Sequence, residues 1–399
     1  MIRCGSLLLV VLMLGAAQTA PLTDADRQRA LQLYDEHKLV DALPLLERLA
    51  AERPKDFVVI ERLGSAVLVN AAGIRDAGAR GQERIRARKI LLQAQALGDN
   101  SNLLQVLLAG LPEDGSTAPF SQSPEVEALM RDSEAAFSRG DFQQALDGCV
   151  KAFALDPHLY EAALFAGDTY FKMRQHATAC EWYARAVEIN ADRETAFRYW
   201  GDALTEMGEP AQARPKFIEA IVAGPYLKKS WMGAKQWAER SKLSLSFPRI
   251  TPPNEVSAPS TGTDGKTHIN VTIDPATLGG KNRDQDGRSA WFIYSLNRAA
   301  WPTQRFAKEF PGEKEYRHTL KEEAESLHMV ADQVRTKKVK RLDPQLALLL
   351  KLDGAGLIEA YVLITGADQG ISRDYDAYRA AHRDKIRRYL DEYVVPKLP

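Results

Sequence analysis

The sequence has 399 residues, of which 45% are hydrophobic and 27% are charged. This length and composition are typical of a folded chain with two or three domains. Its 53 basic and 53 acidic side chains give a net charge of zero. A neutral chain lacks the basic surface that nucleic acid or an anionic membrane usually requires, so we expect no nucleic-acid partner.

The N-terminal segment has the pattern of a secretory signal peptide. Arg3 precedes an apolar run at residues 7–14, and small residues follow at 15–20. We therefore predict a signal peptide at residues 1–20 and an exported protein, periplasmic or secreted. The alternative is a retained membrane anchor, although the apolar run is short for a membrane span.

The next part of the chain predicts a block of irregular helical hairpins at residues 21–111. One hairpin is expected at 23–56 and a second at 57–99, because small and apolar residues recur there at helical spacing. The second hairpin contains an arginine-rich insertion at 73–84, which predicts a longer loop or helix. Pro, Gly, Ser and Asp then predict a loop at 112–125.

Residues 126–225 contain three copies of a unit 34 residues long. Each unit has a small residue in its first helix and two alanines and a bulky residue in its second. The equivalent positions are Ser133, Gly167 and Gly201; Ala145, Ala179 and Ala213; Ala152, Ala186 and Ala220; and Cys149, Tyr183 and Phe217. Small residues at these positions allow helix axes to approach within about 8–10 Å, so the units are expected to stack.

This pattern resembles the tetratricopeptide repeat (TPR) in its period and in the placement of its small residues. The resemblance extends, less sharply, to the hairpins of 23–99, so residues 21–111 are expected to form a degenerate TPR block. The resemblance implies an all-α, helical-hairpin solenoid over 126–243, with a capping helix after the third unit. It also implies that the first helices line a concave groove that binds a peptide or a partner protein. Carried onto matching positions, the groove residues are Met130, Glu134, Phe137, Leu164, Asp168, Phe171, Arg198, Asp202 and Thr205.

Two features of these positions suggest what the groove would bind. Glu134, Asp168 and Asp202 form an acidic row, and apolar residues such as Phe137 and Phe171 lie beside it. A solvated polar face is the simpler interpretation, because carboxylates about 10 Å apart in water repel each other only weakly. The functional hypothesis is a groove for a protein or peptide segment with basic and apolar side chains.

The remaining sequence predicts a linker and a C-terminal domain. Residues 244–267 are rich in Pro, Ser, Thr and Gly and predict the linker. Residues 268–399 predict a mostly helical domain with at most a short strand, at 268–274. Its most apolar stretch, at 346–365, contains charged residues, so we predict no integral membrane span in the mature chain.

No residue pattern in the chain predicts a catalytic site, a cofactor or a metal. Residues 282–287 resemble the start of a calcium loop, but Ile293 stands where the last acidic ligand belongs. The histidines and glutamates of 318–328 lack the spacing of a zinc site. Cys149 and Cys180 lie in different helical slots, which favours two separate thiols over a disulfide.

Three functions are compatible with these observations. The first is a non-catalytic adaptor or scaffold that uses the TPR groove to bind a peptide or partner protein. The second is an enzyme or enzyme accessory whose activity lies in the C-terminal domain, with the repeats as recruiter. The third is a structural array that associates with itself through exposed repeat ends.

Overall fold

A computed structural model describes residues 21–398, apart from residues 37, 75, 262–266, 279–285, 338 and 340. The predicted signal peptide lies outside the described residues. Across the described part of the chain, helices dominate and every strand is only two residues long. The chain is therefore all-α, as the repeat pattern predicts. It divides into two compact units, residues 1–162 and 163–399.

The first unit is a series of helical hairpins. Its helices are α1 (Asp24–Asp35), α2 (Leu39–Glu52), α3 (Phe57–Ala72), α4 (Ala77–Ala96), α5 (Asn102–Ala109), α6 (Pro124–Ser138) and α7 (Phe142–Leu155). Helices α1 with α2, α3 with α4, and α6 with α7 pack as neighbours. Gly64 of α3 shows why the packing is close, since a Cβ there would lie 2.7 Å from the Leu91 side chain.

The arginine-rich insertion lengthens a helix rather than a loop. Asp76 caps α4 by accepting a hydrogen bond from Ala79 N, and the insertion forms the first turns of this 20-residue helix. Arg84 Nε donates to the Gly115 carbonyl at 3.0 Å, and Arg88 Nη1 donates to the Leu111 carbonyl at 3.2 Å. These arginines of α4 therefore hold the loop that follows α5, because their guanidinium groups satisfy its carbonyls.

The second unit begins inside helix α8 (Tyr160–Lys172) and contains the remaining helices. These are α9 (His176–Ile189), α10 (Glu194–Glu206), α11 (Pro210–Ala223), α12 (Lys228–Arg240), α13 (Trp291–Gln304), α14 (Phe306–Glu309), α15 (Leu320–Arg335), α16 (Pro344–Gly354), α17 (Ile358–Tyr361) and α18 (Tyr375–Tyr389). The two-residue strands are β1 (Glu255–Val256), β2 (Ser260–Thr261), β3 (Thr267–His268) and β4 (Val271–Thr272); β1 pairs with β4 and β2 with β3, both antiparallel.

Small residues set the close packing of the hairpins in the second unit. A Cβ on Gly167 would lie 2.6 Å from the Tyr183 ring, and one on Gly201 would lie 2.8 Å from the Phe217 ring. Nothing larger than glycine fits opposite these two aromatic rings. Between α8 and α9, Arg174 has the left-handed conformation (φ 61°) that Gly208 (φ 76°) has after α10.

The C-terminal helices share one hydrophobic core with the last repeat helices. Phe217 and Trp237 belong to the same buried cluster as Trp291 and Tyr389. Arg214 of α11 also donates to the Val395 carbonyl at 2.6 Å. The C-terminal helices thus belong to the same compact unit as the last repeat helices, and the linker at 244–267 stays a prediction. The physical reason is that the last repeat helices bury their apolar face against the C-terminal helices.

Two further predictions can be compared with the described residues. No described helix is both long enough and apolar enough to cross a membrane. Cys149 is buried in α7 and Cys180 is half-buried in α9, and the structure has no disulfide between these thiols. Burial raises the pKa of the Cys180 thiol, which makes it a poor nucleophile near neutral pH.

Candidate functional site

The predicted groove residues lie on the first helices of the hairpins, and we call the side of each helix that carries them its first-helix face. In the first unit this face offers little to a ligand. Met130 is fully buried, and Glu134 is half-buried and forms an ion pair with Arg131 at 3.1 Å. Phe137 packs edge-to-face on Phe142, with ring centres 5.5 Å apart. These three side chains already have partners within their own unit.

On α8, the central carboxylate of the face is also occupied. The Tyr183 hydroxyl donates a hydrogen bond to Asp168 Oδ1 at 2.9 Å. Burial raises the pKa of Asp168 to about 7, because desolvation outweighs this hydrogen bond and the charge of Arg198. Leu164 is 7% exposed and belongs to the core. Asp168 is therefore partly protonated at neutral pH rather than a fixed negative charge.

On α10, Arg198 is used within the protein. Its Nε lies 3.2 Å from Glu194 Oε2, and its guanidinium lies 4.4 Å from the centre of the Tyr199 ring. Glu194 also pairs with Lys229 at 2.7 Å, so this buried carboxylate has two cationic neighbours. Arg198 is thus held by side chains of its own helix and is not free to recognise a ligand.

The remaining three predicted residues meet at one cavity of about 240 Å³. Phe171 contributes from α8, and Asp202 and Thr205 contribute from α10. The rest of the lining comes from α10, α11 and α12 and consists of Glu206, Phe217, Gly233, Gln236, Trp237 and Arg240. A cavity of this size holds one side chain or a small polar group.

Asp202 gives this cavity its chemistry. It is half-buried, and no residue in the described part of the chain donates a hydrogen bond to it. Burial raises the pKa of Asp202, although the charges of Arg198 and Arg240 oppose this shift. The other polar groups are used elsewhere: the Thr205 hydroxyl donates to the Gly201 carbonyl at 2.8 Å. The Asp202 carboxylate is therefore only partly shielded from solvent and can accept a hydrogen bond from water or from a ligand.

Helix α12 contributes residues to the site that the repeat pattern does not predict. The sequence identifies this helix only as a cap, whereas Gly233, Gln236 and Arg240 line the cavity. A signal was present, because Gln236 lies one repeat period of 34 residues after Asp202. Arg240 pairs with Glu206 at 3.0 Å at the edge of the cavity. The capping helix thus completes the site as well as covering the last hairpin.

The candidate metal ligands at 318–328 do not converge. His318 contacts Asp368 at 2.8 Å and Glu323 at 3.1 Å. His328 contacts Asp353 and Glu359 instead of Glu325. No described group of histidine, cysteine, aspartate and glutamate side chains could hold a metal ion. The calcium-like segment at 282–287 lies largely outside the described residues.

A buried ionic network on α13 and α15 accounts for these charges. Arg298 lies 2.9 Å from Glu322 and 2.5 Å from Glu323. The Tyr294 hydroxyl donates to Glu323 at 2.9 Å, and the Tyr316 hydroxyl donates to Glu322 at the same distance. Burial raises the pKa of Glu322. Because each carboxylate has at least two partners, the network joins helices rather than leaving a reactive group exposed.

No family model and no curated protein matches the sequence. Similar solved structures include YrrB, described as a TPR protein with an unusual peptide-binding site. It is 14% identical, with a TM-score of 0.28, over 53% of this chain and 90% of YrrB. A MamA structure is 17% identical, with a TM-score of 0.25, over 50% of this chain and 90% of its own. Pseudomonas aeruginosa PilF is 14% identical, with a TM-score of 0.27, over 55% of this chain and 84% of its own.

The fold is TPR-like. This follows from the chain's own hairpins, in which the 34-residue period, the glycine slots and the left-handed turns coincide. Solenoids of this type serve in general as scaffolds for protein–protein interaction.

Proposed function

We propose that this chain is a non-catalytic adaptor that binds an extended or helical segment of a protein or peptide on its first-helix face. The observation that carries the proposal is the Asp202 carboxylate, which lies in a cavity and accepts no hydrogen bond from the described residues. A partly desolvated acceptor without a donor favours a ligand that supplies one. The cavity therefore receives one side chain of the bound segment.

That side chain is a lysine or an arginine. Among the residues that line the cavity, Asp202 and Glu206 are acidic and Arg240 is basic, and Arg240 pairs with Glu206, so Asp202 has no ion-pair partner in the lining. A charge-assisted hydrogen bond from a basic group would contribute about 1.5–3 kcal/mol. The Phe171 ring in the cavity wall provides an apolar surface for the methylene stem of the ligand side chain.

We further propose that the protein is exported. The support is the signal-like sequence at residues 1–20, which lies outside the described residues. Expression of the full chain with and without residues 1–20, followed by fractionation, tests this. Export of both forms to the same extent would contradict it.

The binding proposal is tested by selecting short random peptides on the full-length chain. We expect the selected peptides to share one lysine or arginine flanked by apolar residues. Asp202→Asn keeps the shape of the cavity and removes its charge, so it should reduce affinity for a selected peptide roughly tenfold. Asp168→Asn is the matched control, since Asp168 is already bonded to Tyr183. It should leave affinity within about twofold.

Equal binding by wild type and Asp202→Asn would contradict the assignment of the cavity. Selection of peptides without any basic residue would contradict the ligand chemistry. Peptides that bind but lose affinity only in Asp168→Asn would place the site one hairpin earlier. Concentration-dependent self-association without peptide binding would favour the structural array instead.

A further inference from the structure

A groove of about 480 Å³ lies on a different face of α12 from the Asp202 cavity, and we call it the cap groove. One side is formed by Lys228, Trp231, Met232, Lys235 and Glu239 of α12, and the other by Leu243, Ser244, Leu245 and Phe247. Its apolar lining is open to solvent, since Met232 is 45% and Phe247 49% exposed. An apolar surface of this kind typically marks an interaction site.

The 34-residue period identifies what this face of α12 would contact in a complete hairpin. Trp231 and Lys235 lie one period after Phe197 and Gly201 of α10. Both of those residues pack on the second helix of their hairpin. A Cβ on Gly201 would lie 2.8 Å from the Phe217 ring, and Phe197 shares a buried cluster with two alanines of α11. The cap groove is therefore the face of a first helix on which a second helix packs.

The chain supplies no second helix for α12. That helix would fall at 244–257, one period after α11. Pro248, Pro252 and Pro253 lie inside this range and exclude a regular helix. The described residues there form no helix and only the two-residue strand β1. Residues 243–247 line one side of the groove and leave room for a helix on the other.

The charge of the cap groove indicates what kind of helix fits. Two lysines, Lys228 and Lys235, and one glutamate, Glu239, line it. Lys235 pairs with Glu239 at 3.7 Å, but both side chains are more than half exposed, so this pair is weak. Lys235 also stands where the two preceding first helices have a glycine next to an aromatic ring. An acidic residue suits this position, because it forms an ion pair with Lys235.

We infer that the cap groove binds an amphipathic α-helix of a partner protein, with an acidic residue opposite Lys235 and small apolar residues on either side. This helix takes the place of the second helix of a fourth hairpin. Its small residues follow from α11, where Ala213 and Ala220 flank Phe217. A second copy of α12 is disfavoured, since it would bring lysines against lysines. The inference is independent of the proposed function, because the cap groove and the Asp202 cavity share no lining residue.

The probe is a synthetic peptide with the sequence of α7 (Phe142–Leu155), which is a second helix of this chain. A lactam bridge between Asp147 and Lys151, exposed four residues apart on α7, keeps it helical, and circular dichroism verifies this. Three versions carry Cys149→Glu, Cys149→Gln or Cys149→Lys at the buried position of the helix.

Fluorescence anisotropy with the full-length chain measures the affinity of the three peptides. The glutamate peptide should bind with a Kd of about 0.5 mM or lower. The lysine peptide should bind at least about tenfold more weakly, and the glutamine peptide should lie between the two. This order reports the sign of the charge in the groove, because the bridged peptides differ only at position 149.

Charge reversal in the protein gives a test that misfolding cannot imitate. Lys235→Glu should weaken the glutamate peptide about fivefold and strengthen the lysine peptide by a similar factor. Lys308→Glu makes the same charge change on an exposed residue outside the groove and should alter neither affinity. Met232→Glu puts a charge against the apolar face of the helix and should weaken the glutamate peptide at least about tenfold. Asp202→Asn should have no effect, which distinguishes this site from the Asp202 cavity.

The inference is overturned if the helical glutamate peptide does not bind, if the lysine peptide binds as tightly, or if Lys235→Glu leaves the preference unchanged. Binding of phosphatidylglycerol vesicles that Lys235→Glu abolishes, without binding of the glutamate peptide, would overturn it in favour of a lipid surface. A dimer in analytical ultracentrifugation that Met232→Glu dissociates would assign the groove to a second copy of the chain and overturn it as well.

Discussion

Two successive hairpins, α8 with α9 and α10 with α11, carry equivalent aspartates, but only one of these aspartates accepts a hydrogen bond from the aromatic residue of its partner helix. Asp168 and Asp202 are equivalent residues one repeat apart. Each lies next to a glycine that packs on the aromatic ring of the partner helix: Tyr183 in one hairpin and Phe217 in the other. The Tyr183 hydroxyl bonds Asp168, whereas Phe217 has no hydroxyl to donate to Asp202.

Like residues at equivalent repeat positions need not act together. In the hairpin of α8 and α9, the Tyr183 hydroxyl donates a hydrogen bond to the Asp168 carboxylate, and burial raises the pKa of Asp168 to about 7. In the hairpin of α10 and α11, Phe217 has no hydroxyl to donate, and the Asp202 carboxylate lines a cavity. Glu134, in the other unit, is neutralised by Arg131. The acidic row of the sequence therefore reduces to one available acceptor, Asp202.

The largest effect on stability is expected from replacing the glycine that each of the two hairpins packs against an aromatic ring. Gly167→Val and Gly201→Val should each lower the free energy of unfolding by about 3 kcal/mol, because the added atoms overlap the Tyr183 or Phe217 ring. Chemical denaturation measures this. Gly312→Ala is the control, since a Cβ there meets nothing within 4 Å, and should change stability by less than about 0.5 kcal/mol. A tolerated valine at either site would show that the hairpins do not pack this closely.

The second effect is the pH dependence that Asp168 gives to the stability of the protein. The raised pKa of Asp168 means that the folded state holds a proton that the unfolded state loses near pH 3.8. Its contribution to stability is present below pH 3.8 and is lost as the pH rises through about 7. Asp168→Asn should therefore be more stable than wild type by about 1–3 kcal/mol at pH 8. The two should converge near pH 4, and a pH-independent difference would contradict this assignment.

The smallest effect is expected when a hydroxyl is added at Phe217 or removed from Tyr183. Phe217→Tyr should donate a hydrogen bond to Asp202 and so lower the affinity for a lysine- or arginine-containing peptide about tenfold. Tyr183→Phe removes the donor from Asp168 and should destabilise the fold by about 1 kcal/mol above pH 7. Its peptide affinity should stay within about twofold of wild type. Unchanged binding by Phe217→Tyr, with its hydroxyl shown by crystallography to reach Asp202, would contradict the role of that carboxylate.

The sequence predicts the repeat well because its signals are local. A glycine in one helix and a bulky residue in the next mark a close helix contact, and the structure confirms this at Gly167 and Gly201. The role of α12 is harder to predict from one chain, because a cap and a further groove helix have the same apolar pattern. The network around Arg298 and Glu323 joins residues 25 positions apart on different helices, and no periodicity reveals such a pairing.

The sequence alone determined the helical hairpins and the 34-residue period, since these depend on side-chain size and spacing along single helices. Only the tertiary structure decided that Tyr183 occupies Asp168, that Asp202 stays available, and that the C-terminal helices share the core of the last repeat. The physical reason is that hydrogen bonding and desolvation depend on neighbours from other helices, which the order of residues does not specify.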